Sequence, residues 1–476
     1  MTNPVVPSPI GRKDSFIVCT NSQRAPVRGS LMHFSYQNAI FEVYNPFSIL
    51  QLSEVLAEFK IVVGERTLYA GRAVVRSLVN TGIMLVCEVT LVDAWADVDV
   101  FALLENPDTL RSEMNRFVQE WKINNDVMPD FKVLTGDFHG FLSDLSIWLK
   151  QIETVLSRAT PQDSQARSVE LVSRLFESVG PTATDFLWRI EEIGKLIPPE
   201  KAGLHKAYIR REIHPLTLCC PFVHRTFTKP LGYAGDYEMI NMILERPYEG
   251  GTLFAKTLTR MLVDTAPAKA HRNRITILKD LLIQESDRNR QNNTPLDVLN
   301  IGCGPAKEVR DFIATSRNAD FSRITLMDFS KEALEFARKG AQAQKATSGS
   351  QIKLEFISKS IDELLRESIT SQTTALPRER RYDFVYCAGL FDYFTDSVCR
   401  RLISLFYDHL LPGGLLCVTN IHSSNPQRHL MEYLLEWNVF HRTNSEFNRL
   451  AVVPGERELF ADPTGANIFL NIRKPA

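Results

Sequence analysis

No window of the sequence holds an apolar run of the length a bilayer span requires, and its first residues lack the apolar core of a secretory signal. The expectation is a chain with no stable membrane insertion. Basic clusters are missing too: 55 Lys and Arg stand against 56 Asp and Glu, for a formal net charge of −1. Extended nucleic-acid surfaces need clustered cations to neutralise phosphates, so no nucleic-acid partner is expected. There is no CxxC pair among the eight cysteines, and no His stands at zinc-finger spacing from them, so no metal site is expected. Three of them lie in "VYCAG", "LLCVT" and "MLVCEV", apolar contexts where a reduced thiol behaves as a small hydrophobe. That usage predicts a reduced, cytoplasmic protein. Internal repeats are absent as well.

What is present divides along the chain. Residues 1–97 read as a small β-barrel-like domain, with β-branched and aromatic runs bounded by Gly, Asn and Pro. Residues 98–200 read as a helical connector, because "LRSEMNRFVQEWKINN", "FLSDLSIWLKQIETVLSRA" and "ARSVELVSRLFESVG" repeat apolar residues every three or four positions. Residues 201–290 continue helically as a cap or lid segment, and residues 291–476 alternate strands with helices, as a parallel sheet does. "AQAQKATSGSQ" and "ESITSQTTALPRERR" read as polar loops.

"PLDVLNIGCGPAKEVRDFIA" reads as a buried strand, a glycine turn at Gly302 and Gly304, and a helix. Glycine lets a backbone turn tightly and approach a ligand closely. A second strand ends at Asp328, some two dozen residues on, where an acid can take both ribose hydroxyls of an adenosine. "KLEFIS" leads to Lys359, Ser360 and Ile361, "YDFVYCAGLFDYF" runs through Ala388 to Tyr393, and "LLPGGLLCVTNI" supplies a fifth strand. In "VLNIGCGP", "DFSKEAL" and "LLPGGLL", roughly Thr294 to Ala476 resembles the class I S-adenosylmethionine (SAM)-dependent methyltransferases. The resemblance implies an α/β, Rossmann-like sheet with SAM as cofactor, held by Asn300, Gly302, Gly304, Asp328, Phe329, Ser360, Ile361 and Ala388. Asn300 stands where that family usually has Asp, and Ala306 replaces the third glycine.

"PFVHRTFTKPLGYAGDYEMINMI" with "LLEWNVFHRT" is similar to bacterial proteins of 3-hydroxypalmitic acid methyl ester biosynthesis, over about residues 150–476. That similarity implies methylation of the carboxylate of a small or hydroxy fatty acid. An ionised carboxylate needs alignment and exclusion of water rather than a base. Methylation of an amine or hydroxyl of another metabolite is the alternative, and a homo-oligomer is compatible with either. The stretch before the sheet stands where methyltransferases place a cap. Tyr233 and Tyr237 are its candidate catalytic residues, and His224, Arg225 and Lys229 its candidate anion ligands, with Arg225 open to SAM's own carboxylate. Asp236 also fits a helix cap. Asp392 and His422, after strands four and five, are further catalytic candidates, and Tyr393 a substrate-binding one. Arg272 or Arg274 is a further candidate for SAM's carboxylate, with a solvated helix face the favoured reading, and Trp437, Phe440 and Phe447 are read as core, with the lining of an acyl pocket as the alternative.

Arg24 and Arg28 have the R-x-x-x-R spacing by which residues 1–97 resemble a PilZ domain, the cyclic-di-GMP-binding module. The companion D/N-x-S-x-x-G signature is missing, "EVYNPFSILQLS" standing in its place. A cyclic-di-GMP-responsive regulator is the non-enzyme alternative, and the expectation is that these residues do not bind the nucleotide tightly.

Overall fold

The computed structural model describes residues 15–22, 24–34, 37–44, 50–63, 66–80, 84–93, 126–156, 161–370 and 380–476, with isolated helical positions between 111 and 122. The chain forms two compact units: Met1–Lys122 with Lys229–Tyr233, and Ile123–Thr228 with Ala234–Ala476. The expected helix within 110–125 lies largely outside the described residues, as do residues 371–379 of the loop expected over 367–381, whereas residues 367–370 of that loop are the end of the helix Ile361–Thr370.

The first unit is a closed antiparallel barrel of β1 (Ser15–Thr20), β2 (Pro26–Phe34), β3 (Asn38–Tyr44), β4 (Val55–Val63), β5 (Arg66–Asn80) and β6 (Met84–Leu91), in the order β1-β2-β3-β6-β5-β4. Alternation does the sorting: Ile17, Cys19, Val27, Phe41, Phe59, Ile61, Tyr69 and Cys87 point inward and are buried. Arg28 faces outward with its guanidinium 4.3 Å from the centre of the Phe16 ring. Glu54 is the buried polar knot of this unit, accepting from Ser22 N, Ser22 Oγ and Gln51 N at 2.6, 2.7 and 2.7 Å. Burial pushes its carboxyl up to about 7, against the pull of those donors. Gly232 also serves this unit: its carbonyl accepts from Val55 N at 2.9 Å. At φ 89° a Cβ there would stand 2.4 Å from the Ser22 Cβ. Part of the conspicuous stretch before the sheet is thus barrel structure.

In the second unit come α1 (Pro129–Leu156), α2 (Pro161–Gly194), α3 (Ala202–Thr217), α4 (Pro221–Thr228), α5 (Tyr237–Glu245), α6 (Leu253–Leu262) and α7 (Ala266–Gln291). Their apolar stripes make one core, from Phe131, Phe138 and Leu142 through Ile209, Ile213 and Met239 to Tyr393, Tyr433 and Trp437. A seven-stranded sheet follows, built from β7 (Leu296–Ile301), β8 (Ser322–Asp328), β9 (Lys353–Ser358), β10 (Tyr382–Cys387), β11 (Leu410–Ile421), β12 (Glu456–Ala461) and β13 (Asn467–Arg473). Its order is β12-β13-β11-β10-β7-β8-β9, with β7 to β11 parallel and β13 antiparallel to both neighbours. This is the Rossmann-like sheet expected. Strand order reverses between β7 and β10, and ligands of such sheets bind outside the carboxyl ends of the strands at that point. α8 (Lys307–Thr315), α9 (Lys331–Ser348), α10 (Ile361–Thr370), α11 (Asp396–Asp408), α12 (Arg428–Tyr433) and α13 (Asn444–Leu450) complete the unit.

One expected loop is helix instead. α9 runs through "AQAQKATS" because Ala341 extends its buried stripe of Ala333, Leu334 and Ala337, and it stops only at Gly349, which takes the left-handed φ of 64°.

Candidate functional site

The strand–turn–helix from β7 to α8 sets the glycine loop at the switch point. Gly302, Gly304 and Ala306 have φ of 68°, 51° and 47°, so the loop turns through three left-handed residues before α8 begins. A Cβ on Gly304 would meet nothing within 4 Å, so the loop presents bare backbone to open space. From the end of β8, Asp328 reaches across: its Oδ2 accepts from Gly304 N at 3.0 Å and its Oδ1 from Ser330 N at 2.9 Å. Burial raises the Asp328 pKa, against the pull of the Gly304, Ser330 and Phe329 N–H groups. Three N–H groups on two oxygens leave the carboxylate capacity for one further donor, such as a ligand hydroxyl. Asn300 lies beneath the loop, donating to Glu308 Oε1 at 3.0 Å, and the Tyr386 hydroxyl donates to the same oxygen at 2.9 Å. Its side-chain amide is therefore committed to the loop's support.

Across from the loop stands a buried arginine. Arg274 on α7 is only 7% exposed, which corrects the expectation of a solvated face there. The signal was present: His271, Arg274, Leu278, Leu282, Glu285 and Asn289 recur every three or four residues and are all buried, one stripe whose first two members are polar. The guanidinium of Arg274 lies over Gly389, where a Cβ would be 2.7 Å from Nη1. Among the described residues no hydrogen bond or ion pair reaches it, and burial lowers its pKa despite Asp392 and Glu308 nearby. A buried charge left without a partner costs several kcal/mol, which an anion bound beside it would offset.

Asp392 and Tyr393 form a short turn after β10 and share this neighbourhood. Asp392 Oδ1 accepts from Ile421 N at 2.6 Å, and burial raises its carboxyl to about 6 against the pull of that N–H, Arg274 and Arg442. The Tyr393 hydroxyl accepts from Trp437 Nε1 at 2.8 Å. The Trp437 ring stands 5.7 Å from that of His271. Gly235 closes on this wall, for a Cβ there would be 2.5 Å from the Tyr393 hydroxyl and 2.8 Å from the Trp437 ring. Trp437 and Phe447 are both buried.

The remaining candidates scatter. Arg225 is held by Asp236, its Nε donating to both carboxylate oxygens at 2.8 and 2.9 Å, while Asp236 caps α5 by accepting from Met239 N at 2.9 Å. Tyr237 packs on Phe336 of α9 at 5.5 Å between ring centres. His224 is exposed on α4, whereas Lys229 and Tyr233 belong to the barrel unit. The Ser360 hydroxyl accepts from Glu363 N at 3.1 Å as a helix cap, with buried Ile361 opening α10. Phe329 and Ala388 are half-buried beside the ends of β8 and β10. His422 follows β11, its Nδ1 engaged with the Ser424 hydroxyl. The structure thus joins Gly302, Gly304 and Asp328 on one side and Asp392 and Tyr393 on the other. It adds Arg274, His271 and Trp437 to the second group. Among the described residues no group of His, Cys, Asp and Glu is arranged to hold a metal.

Residues 298–414 match the family model described as "Methyltransferase domain". No curated protein matches the chain. Solved structures with a likeness include a possible exported protein of Bordetella parapertussis, at 19% identity over 54% of this chain and 86% of that one, with a TM-score of 0.41. Another is the magnesium protoporphyrin IX methyltransferase of Synechocystis with bound SAH, at 11% identity over 44% and 84%, TM-score 0.32. A third is the N-methyltransferase NodS of Bradyrhizobium japonicum with SAH, at 17% identity over 43% and 88%, TM-score 0.29. The family match falls on the glycine loop, Asp328 and the turn after β10. The chain carries a SAM-dependent methyltransferase domain, and its residues are compatible with that cofactor: bare backbone at Gly304, a carboxylate at Asp328 and a buried guanidinium at Arg274.

Proposed function

We propose that the chain transfers a methyl group from SAM to the carboxylate of a small or hydroxy fatty acid. The observation that carries this reading is Arg274, a buried guanidinium at the mouth of β10 that no hydrogen bond or ion pair reaches among the described residues. Bound SAM supplies an electrophilic methyl on a sulfonium. The protein's own part is alignment. Asp328 and the glycine loop fix the adenosine end, Arg274 holds the acceptor's carboxylate, and the Tyr393–Trp437 wall excludes water. No proton has to be removed from an ionised acid, so binding and orientation account for the reaction. Tyr237, on the cap beside α9, covers the ribose side. All eight cysteines are free, in keeping with a reducing, cytoplasmic setting. Among the described residues no helix is long and apolar enough to cross a membrane.

The test uses methyl-labelled SAM with a series of medium- and long-chain acids. Label should enter an ester that mild alkali releases. Arg274→Gln should raise KM for the acid at least tenfold, with SAM affinity by calorimetry little changed. Loss of SAM affinity instead would assign Arg274 to the methionyl carboxylate and remove the support for an acid acceptor.

A further inference from the structure

A second buried arginine meets the turn after β10, and unlike Arg274 it is fully engaged. Arg442, 3% exposed, lies between α12 and α13. Its Nε and Nη2 each reach Asp396 Oδ1 at 3.0 Å. Nη1 donates to the Phe391 carbonyl at 2.9 Å and to Asn420 Oδ1 at 2.5 Å, and Nη2 donates to the Phe394 carbonyl at 2.6 Å. Five contacts match the five N–H groups of a guanidinium. Phe391 and Phe394 bracket Asp392 and Tyr393, so one side chain grips both ends of the turn that carries them. We propose that Arg442 is the positioning residue of the acceptor side, setting Asp392 and Tyr393 for methyl transfer through the turn it holds.

The chain leading to Arg442 engages the same turn twice more. Trp437 Nε1 donates to the Tyr393 hydroxyl at 2.8 Å, and Phe440 N to the Asp392 carbonyl at 2.7 Å. Arg442 N donates to the Ile421 carbonyl at 3.1 Å, and Ile421 N donates in turn to Asp392 Oδ1 at 2.6 Å. Asn420 closes the network, its amide nitrogen donating to the carbonyls of Ile421 and Phe440, each at 2.8 Å. A lysine cannot reproduce this grip, because its donors radiate from one atom and cannot span two carbonyls and Asn420 at once. The ion pair is the lesser part, for the Asp396 side chain is 53% exposed and such pairs contribute little. The bonds to Phe391, Phe394 and Asn420 are buried, and a buried carbonyl stripped of its donor is destabilised by its full desolvation. The cofactor side is fastened independently: Gly304 N donates to Asp328, and Gly302 N and Cys303 N to the Met327 carbonyl. Loss of Arg442 therefore separates the two halves of the site.

The inference rests on the acceptor lying at Asp392 and Tyr393, whichever acid it is. Arg442→Lys, assayed with methyl-labelled SAM and the acid series, should lower kcat about tenfold to a hundredfold, the scale of a misplaced group. Calorimetry should give SAM affinity within about twofold and full stoichiometry, which a partly unfolded protein would not. Hydrogen exchange should speed up at least tenfold at Ile421 and Phe440, the amides bonded to Asp392, and hold steady in the glycine loop. Asp396→Asn keeps an oxygen for Nε and should stay within about threefold of wild-type kcat. An equal loss there would reduce Arg442 to an ion-pair partner and overturn the assignment. So would wild-type kcat in Arg442→Lys, a loss in proportion to SAM stoichiometry, or unchanged exchange at Ile421 and Phe440. Should Arg442→Lys not fold, Asn420→Ala asks the same question: lowered kcat at full SAM stoichiometry supports the grip, and wild-type kcat overturns it. If the wild type esterifies no acid, the acid reading falls, and exchange at Ile421 and Phe440 decides Arg442 by itself.

Discussion

The guanidinium of Arg274 rests on the bare α-carbon of Gly389, with 2.7 Å separating Nη1 from the position a Cβ would take. Gly389 lies just past β10 at φ 89°, so it supplies both a left-handed turn and a seat for the cation. Gly389→Ala should push the guanidinium aside and lower turnover roughly tenfold to a hundredfold, the scale of a misplaced binding group. Gly349→Ala is the control: that glycine has φ 64° with nothing within 4 Å of its Cβ, so it carries the backbone strain alone. Equal activity in the two variants would show that Arg274 needs no seat there.

The glycine loop permits a sharper separation of folding from binding. Gly304 and Ala306 have nearly the same left-handed φ, 51° and 47°, and at Ala306 a methyl is already accommodated. Gly304→Ala should therefore fold, at a backbone cost of about 1–2 kcal/mol. Its new methyl points into the open space where the cofactor would lie. SAM affinity should fall at least tenfold, and further for Gly304→Val. Calorimetry giving wild-type SAM affinity for both would displace the cofactor from this loop.

These two positions show what local sequence reveals and what it withholds. Gly302, Gly304 and Asp328 were legible because a strand, a tight turn and a second strand end fix them within a few residues each. Arg274 was not. In "AHRNRITILKDLLIQESDRNRQ" charge occurs on every side of the helix, and only packing against the sheet decides which arginine goes under. Gly232 misled for a related reason. Its neighbours read as a cap, but its partners, Ser22 and Val55, lie far away in sequence, in the barrel. The helix through 341–348 was legible in the spacing of Leu334, Ala337 and Ala341, but the polar residues between them obscured it.

Asp392 gives a prediction whose sign follows from linkage. Its carboxyl is raised from 3.8 to about 6 in the fold, first by burial, so between those values the folded chain binds the extra proton. Stability then falls as pH rises through that window and stays lower above it. Asn mimics the protonated acid while still accepting from Ile421 N. Asp392→Asn should therefore be more stable than wild type at pH 7 by about 1–3 kcal/mol, with the difference shrinking toward pH 4. Its turnover should nonetheless fall, since a carboxylate facing Arg274 is gone. Melting temperatures of both proteins across that range settle the matter, and a gap independent of pH would mean that Asp392 is not buried as a charge.

Asp236 does two jobs at once, and a mutant cycle can take them apart. Its side chain caps α5 through Met239 N and also takes both bonds from Arg225 Nε, with no exposed surface of its own. Asn retains the cap almost without loss. It cannot hold the guanidinium in the same way, so Asp236→Asn should destabilise by about 1–3 kcal/mol, less than a fully buried pair because Arg225 keeps 21% of its side-chain surface. Arg225→Gln should cost a similar amount, and the double variant little more than either alone, for a coupling of roughly 1–3 kcal/mol. Additive losses would mean that the two residues are not partners in solution. A residue that served the ligands directly would behave differently: the melting temperature would hold while turnover dropped. Measuring both on the same four proteins distinguishes a strut behind the cap from a group that touches the reaction.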